Sequence, residues 1–167
     1  MRKKIFAFLL LSALYAGAQE VPDWENPIVV GINKEPYHAT LTLPSQKADC
    51  KEIISLNGKW RFQWSADPGK RPADFYKNDF NTDTWDTITV PGAWQLQGYG
   101  KPIYSNVNYP FQKDAPRVTS EPPAEYYSYG HRNPTGSYVT TFEVTPDMKD
   151  KCLYLHFEGV KSAMYVW

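Results

Sequence analysis

Leu56-Asn57-Gly58-Lys59-Trp60-Arg61-Phe62-Gln63-Trp64 decides the fold class. Trp60, Phe62 and Trp64 alternate with Lys59, Arg61 and Gln63. A period of two puts the aromatic rings on one face of a strand and the polar groups on the other. Asn57-Gly58 is a strong short-range hairpin signal. It predicts a turn between Ile53-Ile54-Ser55-Leu56 and the aromatic strand.

Outward from this stretch the same alternation recurs. Thr87 to Val90 forms a short strand stopped by Pro91-Gly92. Tyr138, Thr140, Phe142 and Val144 share one face. Pro146-Asp147 marks a turn, and Leu153, Leu155 and Phe157 then alternate with Tyr154, His156 and Glu158. A last strand is expected from Ser162 to Trp167. Residues 67–86 hold turn residues and one short helical turn around Asp74 to Lys77. About five strands result, with no βαβ pattern between them. The expectation is an all-β protein, an antiparallel β-sandwich of the jelly-roll type, which needs about eight strands. The sandwich is therefore expected to be truncated at its C-terminal side, with unpaired edges that favour aggregation.

Two segments lack this regularity. Residues 19–50 carry Pro22, Pro27, Pro36 and Pro44 and read as an irregular arm anchored by Trp24 and Tyr37. Residues 91–136 read as a long loop. Its density of aromatic residues, among them Trp94, Tyr99, Tyr104, Tyr109 and Phe111, argues for an ordered loop packed on another surface.

The first residues belong to export rather than to the fold. Arg2, Lys3 and Lys4 precede an apolar run from Ile5 to Leu14, and Ala16-Gly17-Ala18 supplies small residues for a peptidase. This reads as a signal peptide over residues 1–18. The run is about half of the roughly 20 residues needed to span a bilayer. No membrane insertion is expected after cleavage, and the mature chain is expected to be periplasmic or secreted. Removing three cations from 18 Lys and Arg leaves 15 against 18 Asp and Glu, a net charge of −3. No basic stripe remains to bind nucleic acid.

Cys50 and Cys152 are the two cysteines. Export permits a disulfide between them, but spacing cannot place their Cα atoms, and free or buried thiols are the favoured reading. His38, His131 and His156 form no metal-ligand spacing, so no metal or cofactor is expected in this segment. Asp114, Glu121 and Glu125 sit in the Pro-rich loop as solvated carboxylates.

Four segments, in order, carry a family likeness. They are Asp23-Trp24-Glu25-Asn26-Pro27, then Ser55 to Phe62, then Val90 to Phe111. The third includes Trp94-Gln95, Gly98-Tyr99, Pro102-Ile103-Tyr104 and Asn106-Val107-Asn108-Tyr109-Pro110. The fourth is Asn133 to Tyr138, followed by Phe157-Glu158-Gly159-Val160 and Ser162-Ala163. Together they resemble the N-terminal region of glycoside hydrolase family 2 β-galactosidases. Gly92-Ala93 departs from the family's usual Ser-Asn, and residues 111–132 align less readily.

The resemblance implies that residues 51–167 are an incomplete sugar-binding jelly-roll domain, of the galactose-binding-domain-like kind. Immunoglobulin-like and TIM-barrel domains are expected downstream. It further implies an exported enzyme that removes terminal β-galactose with retention, using two barrel glutamates beyond Trp167 with carboxyl groups about 5–5.5 Å apart. A divalent cation, where the family holds one, belongs to that barrel. Within this chain, Asn106 is the residue the family uses to line the galactose subsite. An amide has both donors and an acceptor for sugar hydroxyls. The resemblance implies that Val107 lines the pocket wall beside it. The expected partners are a β-galactoside and the remaining domains of the same chain. A stand-alone carbohydrate-binding module and a structural β-protein of the envelope are the competing classes.

Overall fold

The computed structural model describes residues 21–36, 53–102, 115–117, 133–161 and 163–167. Three strands form one antiparallel sheet: β1 (Gly58–Ser65), β2 (Asp86–Val90) and β3 (Thr135–Val139), in the order β2-β1-β3. The remaining regular elements among the described residues are single 3-10 turns. The chain is all-β, as the alternation indicates.

β1 is the central strand, and its register fixes both faces. Trp60 faces Ile88 and Phe62 faces Asp86 across to β2, while Phe62 faces Tyr138 and Trp64 faces Gly136 across to β3. Directly opposed residues share a face. The aromatic positions of β1 therefore point inward and Lys59, Arg61 and Gln63 point outward to solvent. Phe62 and Ile88 are completely buried and, with Trp85, make the apolar core among the described residues. Each such side chain contributes about 1.5–3 kcal/mol by leaving water.

Twenty residues connect β1 to β2, and aromatic packing holds them. Trp85 lies against Phe75 and Phe80 at ring separations of 5.7 and 5.9 Å. Asp67 caps the first turn by accepting from the Lys70 amide at 3.1 Å. The predicted helical turn is present, closed by the Lys77 amide donating to the Asp74 carbonyl.

The arm is seated on the far end of the chain. A 3-10 turn spans Asp23–Glu25. The Trp24 ring meets Tyr165 edge-on at 6.2 Å, and the Arg71 guanidinium lies 4.7 Å above the Trp24 ring. Tyr165 and Tyr76 each stack on Trp167, at 5.8 and 5.2 Å. The expected anchor Tyr37 lies outside the described residues.

Several expected elements are different in the structure. Asn57-Gly58 is not a hairpin turn, and Ile53 to Leu56 form no strand. A type I′ turn needs positive φ near +60° at both central residues. Gly58 instead has φ of 145° and begins β1, and Asn57 is not in the left-handed region. The Asn57 amide donates to Ser55 Oγ, and the Trp60 indole donates to the Leu56 carbonyl at 2.7 Å. The partners of β1 are the more distant β2 and β3.

β3 ends at Val139, so Phe142 and Val144 lie beyond the ladder, exposed. The described residues of 153–158 and 163–167 also belong to no strand. Alternation assigns faces to a segment, but a ladder requires a neighbour offering paired N–H and C=O groups.

Candidate functional site

The residues predicted to meet a sugar, Asn106 and Val107, lie outside the described residues. So do Tyr104, Tyr109, Phe111, Asp114, Glu121, Glu125, His38 and His131. The structure does describe the segment that leads into Asn106, residues 91–102, and it is held to the sheet at three levels.

The first is aromatic. Trp94 begins a 3-10 turn, Trp94–Gln97, that lies over the inner face of the sheet. Its ring is 6.1 Å from Phe62, and Tyr99 meets Phe62 edge-on at 4.7 Å. Tyr138 completes the cluster at 4.8 Å from Phe62 and 6.4 Å from Trp60. Gly136 makes room for it. A Cβ there would lie 2.6 Å from Trp94 Cζ3 and 2.7 Å from Phe62 Cε2, closer than real Cβ contacts come.

The second is a backbone clamp. The Thr89 amide of β2 donates to Gln97 Oε1 at 2.8 Å, and Gln97 Nε2 donates to the Thr89 carbonyl at 3.0 Å. One carboxamide thus satisfies both main-chain groups of an edge-strand residue, as a neighbouring strand would. Gly92 sits under this clamp, where a Cβ would meet Gln97 Nε2 at 2.8 Å.

The third is the exit. Gly98 closes the 3-10 turn with φ of 98°, and Gly100 follows with φ of 66°. Both conformations favour glycine. Between them the Tyr99 amide donates to the Trp94 carbonyl, and the Tyr99 hydroxyl donates to Asp86 Oδ2 at 2.9 Å. Desolvation first, and then the Asp86 carboxylate, push the Tyr99 phenol above its ordinary pKa. Gly100 packs beside the Trp64 indole.

The outer face of the sheet carries a groove of about 400 Å³ lined by Lys59, Arg61, Thr82, Thr87, Thr140 and Thr141. Its cations make local contacts. The Lys59 ammonium donates to Thr89 Oγ1 at 2.7 Å, and Arg61 reaches the Trp85 carbonyl at 3.4 Å. Among the described residues no cluster of three or more His, Cys, Asp or Glu is placed to hold a metal ion. Cys152 is exposed and free, and Cys50 lies outside the described residues.

The sequence motif that carries Trp94-Gln95 and Gly98-Tyr99 covers the segment packed on the sheet, but it does not single out Gln97. The partner of Gln97 is a backbone eight residues earlier, and no local pattern announces that contact.

Antiparallel, poor in helix and faced with aromatic rings, the chain is defined by its fold as an all-β domain. It belongs to glycosyl hydrolases family 2: residues 53–167 match the description "Glycosyl hydrolases family 2, sugar binding domain". Among curated relatives, the beta-galactosidase of Priestia megaterium is 39% identical over 162 residues, covering 91% of this chain and 15% of that protein. That of Vibrio vulnificus (strain CMCP6) is 38% identical over 150 residues, with 87% of this chain and 14% of that protein covered. That of Clostridium acetobutylicum is 40% identical over 152 residues, covering 87% and 16%. The chain therefore spans about 15% of the length of the curated relatives it matches.

Proposed function

We propose that this chain is the N-terminal portion of an exported β-galactosidase that hydrolyses terminal β-D-galactosyl residues with retention. The observation that carries the reading is the similarity to proteins named beta-galactosidase across 91% of this chain. The sugar-binding domain shapes the galactose subsite through Asn106, beside Val107, and braces a catalytic barrel encoded downstream. Asn106 offers its amide to sugar hydroxyls, which suits recognition rather than proton transfer. The two glutamates of the retaining mechanism come from the barrel and stand about 5–5.5 Å apart. Residues 167 and below then supply binding and orientation alone. The leader ends near Ala18, and the mature protein works in the periplasm or outside the cell.

The test is expression of the complete reading frame, including codons past Trp167. The purified protein is expected to release galactose from an aryl β-galactoside, with the β-anomer appearing first by NMR. Asn106→Ala is expected to raise KM for the galactoside by about tenfold, the loss of one to two hydrogen bonds, with little change in thermal stability. Normal kinetics in that variant reject the role of Asn106. An inert full-length protein rejects the galactosidase reading. N-terminal sequencing of the exported protein is expected to begin at Gln19.

A further inference from the structure

We infer that the groove on the outer face of the sheet is a binding site for an acidic saccharide, one bearing a sulfate or a carboxylate group that Lys59 and Arg61 hold. Every residue lining it belongs to the described part of the chain. The inference goes beyond the galactosidase reading and does not rest on Asn106.

Charge carries it first. The register sets Arg61 between Thr87 of β2 and Val139 of β3, and Lys59 opposite Thr89. The outward positions of the three strands thus hold two cations and no carboxylate. Opposite charges set side by side across strands stabilise a sheet, and this face has no such pair. Asp86, which begins β2, shares the inner face with Phe62, and there the Tyr99 hydroxyl donates to it at 2.9 Å. Lys59 and Arg61 stand two residues apart on one strand, about 7 Å along it. Among the described residues, the partners of both are neutral oxygens: Thr89 Oγ1 for Lys59 at 2.7 Å, and the Trp85 carbonyl for Arg61 at 3.4 Å. An ammonium has three donors and a guanidinium five, so most of theirs stay open to a ligand. A guanidinium also meets a carboxylate or an oxyanion with two parallel hydrogen bonds.

Shape and hydroxyl groups carry it further. The groove encloses about 400 Å³, within the roughly 300–1,000 Å³ usual for small-molecule sites. Thr82, Thr87, Thr140 and Thr141 line it beside the cations. A threonine hydroxyl both donates and accepts, as a sugar hydroxyl does, so the two sets can pair. A free inorganic anion uses the cations and leaves those hydroxyls idle. An extended acidic peptide docks along a sheet edge, through main-chain bonds, whereas this hollow lies on a sheet face. β1 is laddered on both sides, so the backbone that carries the two cations is fixed before a ligand arrives.

The test uses the product of the complete reading frame and calorimetry. The probes are a galactose disaccharide with one sulfate ester, its counterpart with a uronate carboxylate, the uncharged disaccharide, inorganic sulfate and penta-glutamate. The acidic disaccharides are expected to bind at least about tenfold more tightly than the uncharged one, and more weakly as salt is raised. The double variant Lys59→Gln, Arg61→Gln is expected to lose about tenfold or more in that affinity with an unchanged urea midpoint. Binding of one acidic disaccharide and not the other identifies the acid and keeps the inference.

Equal affinity in wild type and variant overturns it, as does equal affinity for charged and uncharged disaccharides. Inorganic sulfate bound as tightly as the sulfated disaccharide reveals an adventitious ion only, and also overturns it. Penta-glutamate bound as tightly as the saccharides overturns it in favour of an acidic protein segment. If the variant unfolds, amide exchange in the wild type decides. Slower exchange at residues 59–61 and 139–141 on adding the sulfated disaccharide supports the site, and unchanged exchange there rejects it.

Discussion

Gly136 faces Trp64 across the ladder while Trp94 and Phe62 close over it, the nearest atoms 2.6 and 2.7 Å from where a Cβ would be. The neighbours are ring carbons in a packed cluster, so they cannot swing aside as the end of a flexible side chain could. Gly136→Ala is expected to destabilise the protein by about 1–3 kcal/mol, the usual range for an overpacked site, read as a lower urea midpoint with an unchanged slope. Tyr138, in the same cluster, supplies a pH dependence. Burial against Phe62 and Trp60 raises its phenol pKa above the ordinary 10.0. The folded state thus holds this proton more tightly than the unfolded chain. The stabilisation is fully present below pH 10 and is lost as pH rises through the folded pKa. Urea midpoints are expected to fall in this alkaline range, and less steeply in Tyr138→Phe.

At the scale of elements, the centre of the sheet was legible and its periphery was not. The alternation from Lys59 to Trp64 names the buried face of β1 correctly, because strand periodicity is a property of single residues in order. Thr87 to Val90 and the stop at Pro91 were legible for the same reason. The Asn57-Gly58 turn failed because dipeptide preference is outweighed by long-range pairing. β1 gains more by laddering with β2 and β3 on its two sides than with the adjacent Ile53–Leu56. Phe142 and Leu153 alternate with polar neighbours yet join no ladder, since pairing partners are not encoded in the alternation itself. The sequence marks Trp24 as the anchor of the arm, and the ring of Tyr165 and the guanidinium of Arg71 hold it. Aromatic pairs and exposed cation–π contacts are each worth about 0.5–1.5 kcal/mol. Trp24→Ala is therefore expected to loosen the arm without unfolding the sheet. Limited proteolysis checks this, with faster cleavage within residues 21–36 and an unchanged core fragment.

For the molecule as a whole, the candidate site was legible as a motif and not as a mechanism of support. Asn106-Val107-Asn108-Tyr109-Pro110 is the run in which the resemblance implies sugar contact, since no rule of composition picks one asparagine among many. Gln97, Asp86 and Gly136 act through residues distant in sequence, and only the folded sheet brings those partners together. The seat of the arm extends this separation to nearly the whole length described. Trp24 is made early and Tyr165 is made 141 residues later. Contacts between remote positions close last, because the chain between them must first be ordered. A nascent chain emerging from the ribosome therefore carries its Trp24 arm with the Arg71 contact alone until Tyr165 has been synthesised and released from the exit tunnel. During that interval the arm lacks its Tyr165 contact, and its docking is a timestamp that this portion of the chain has been made.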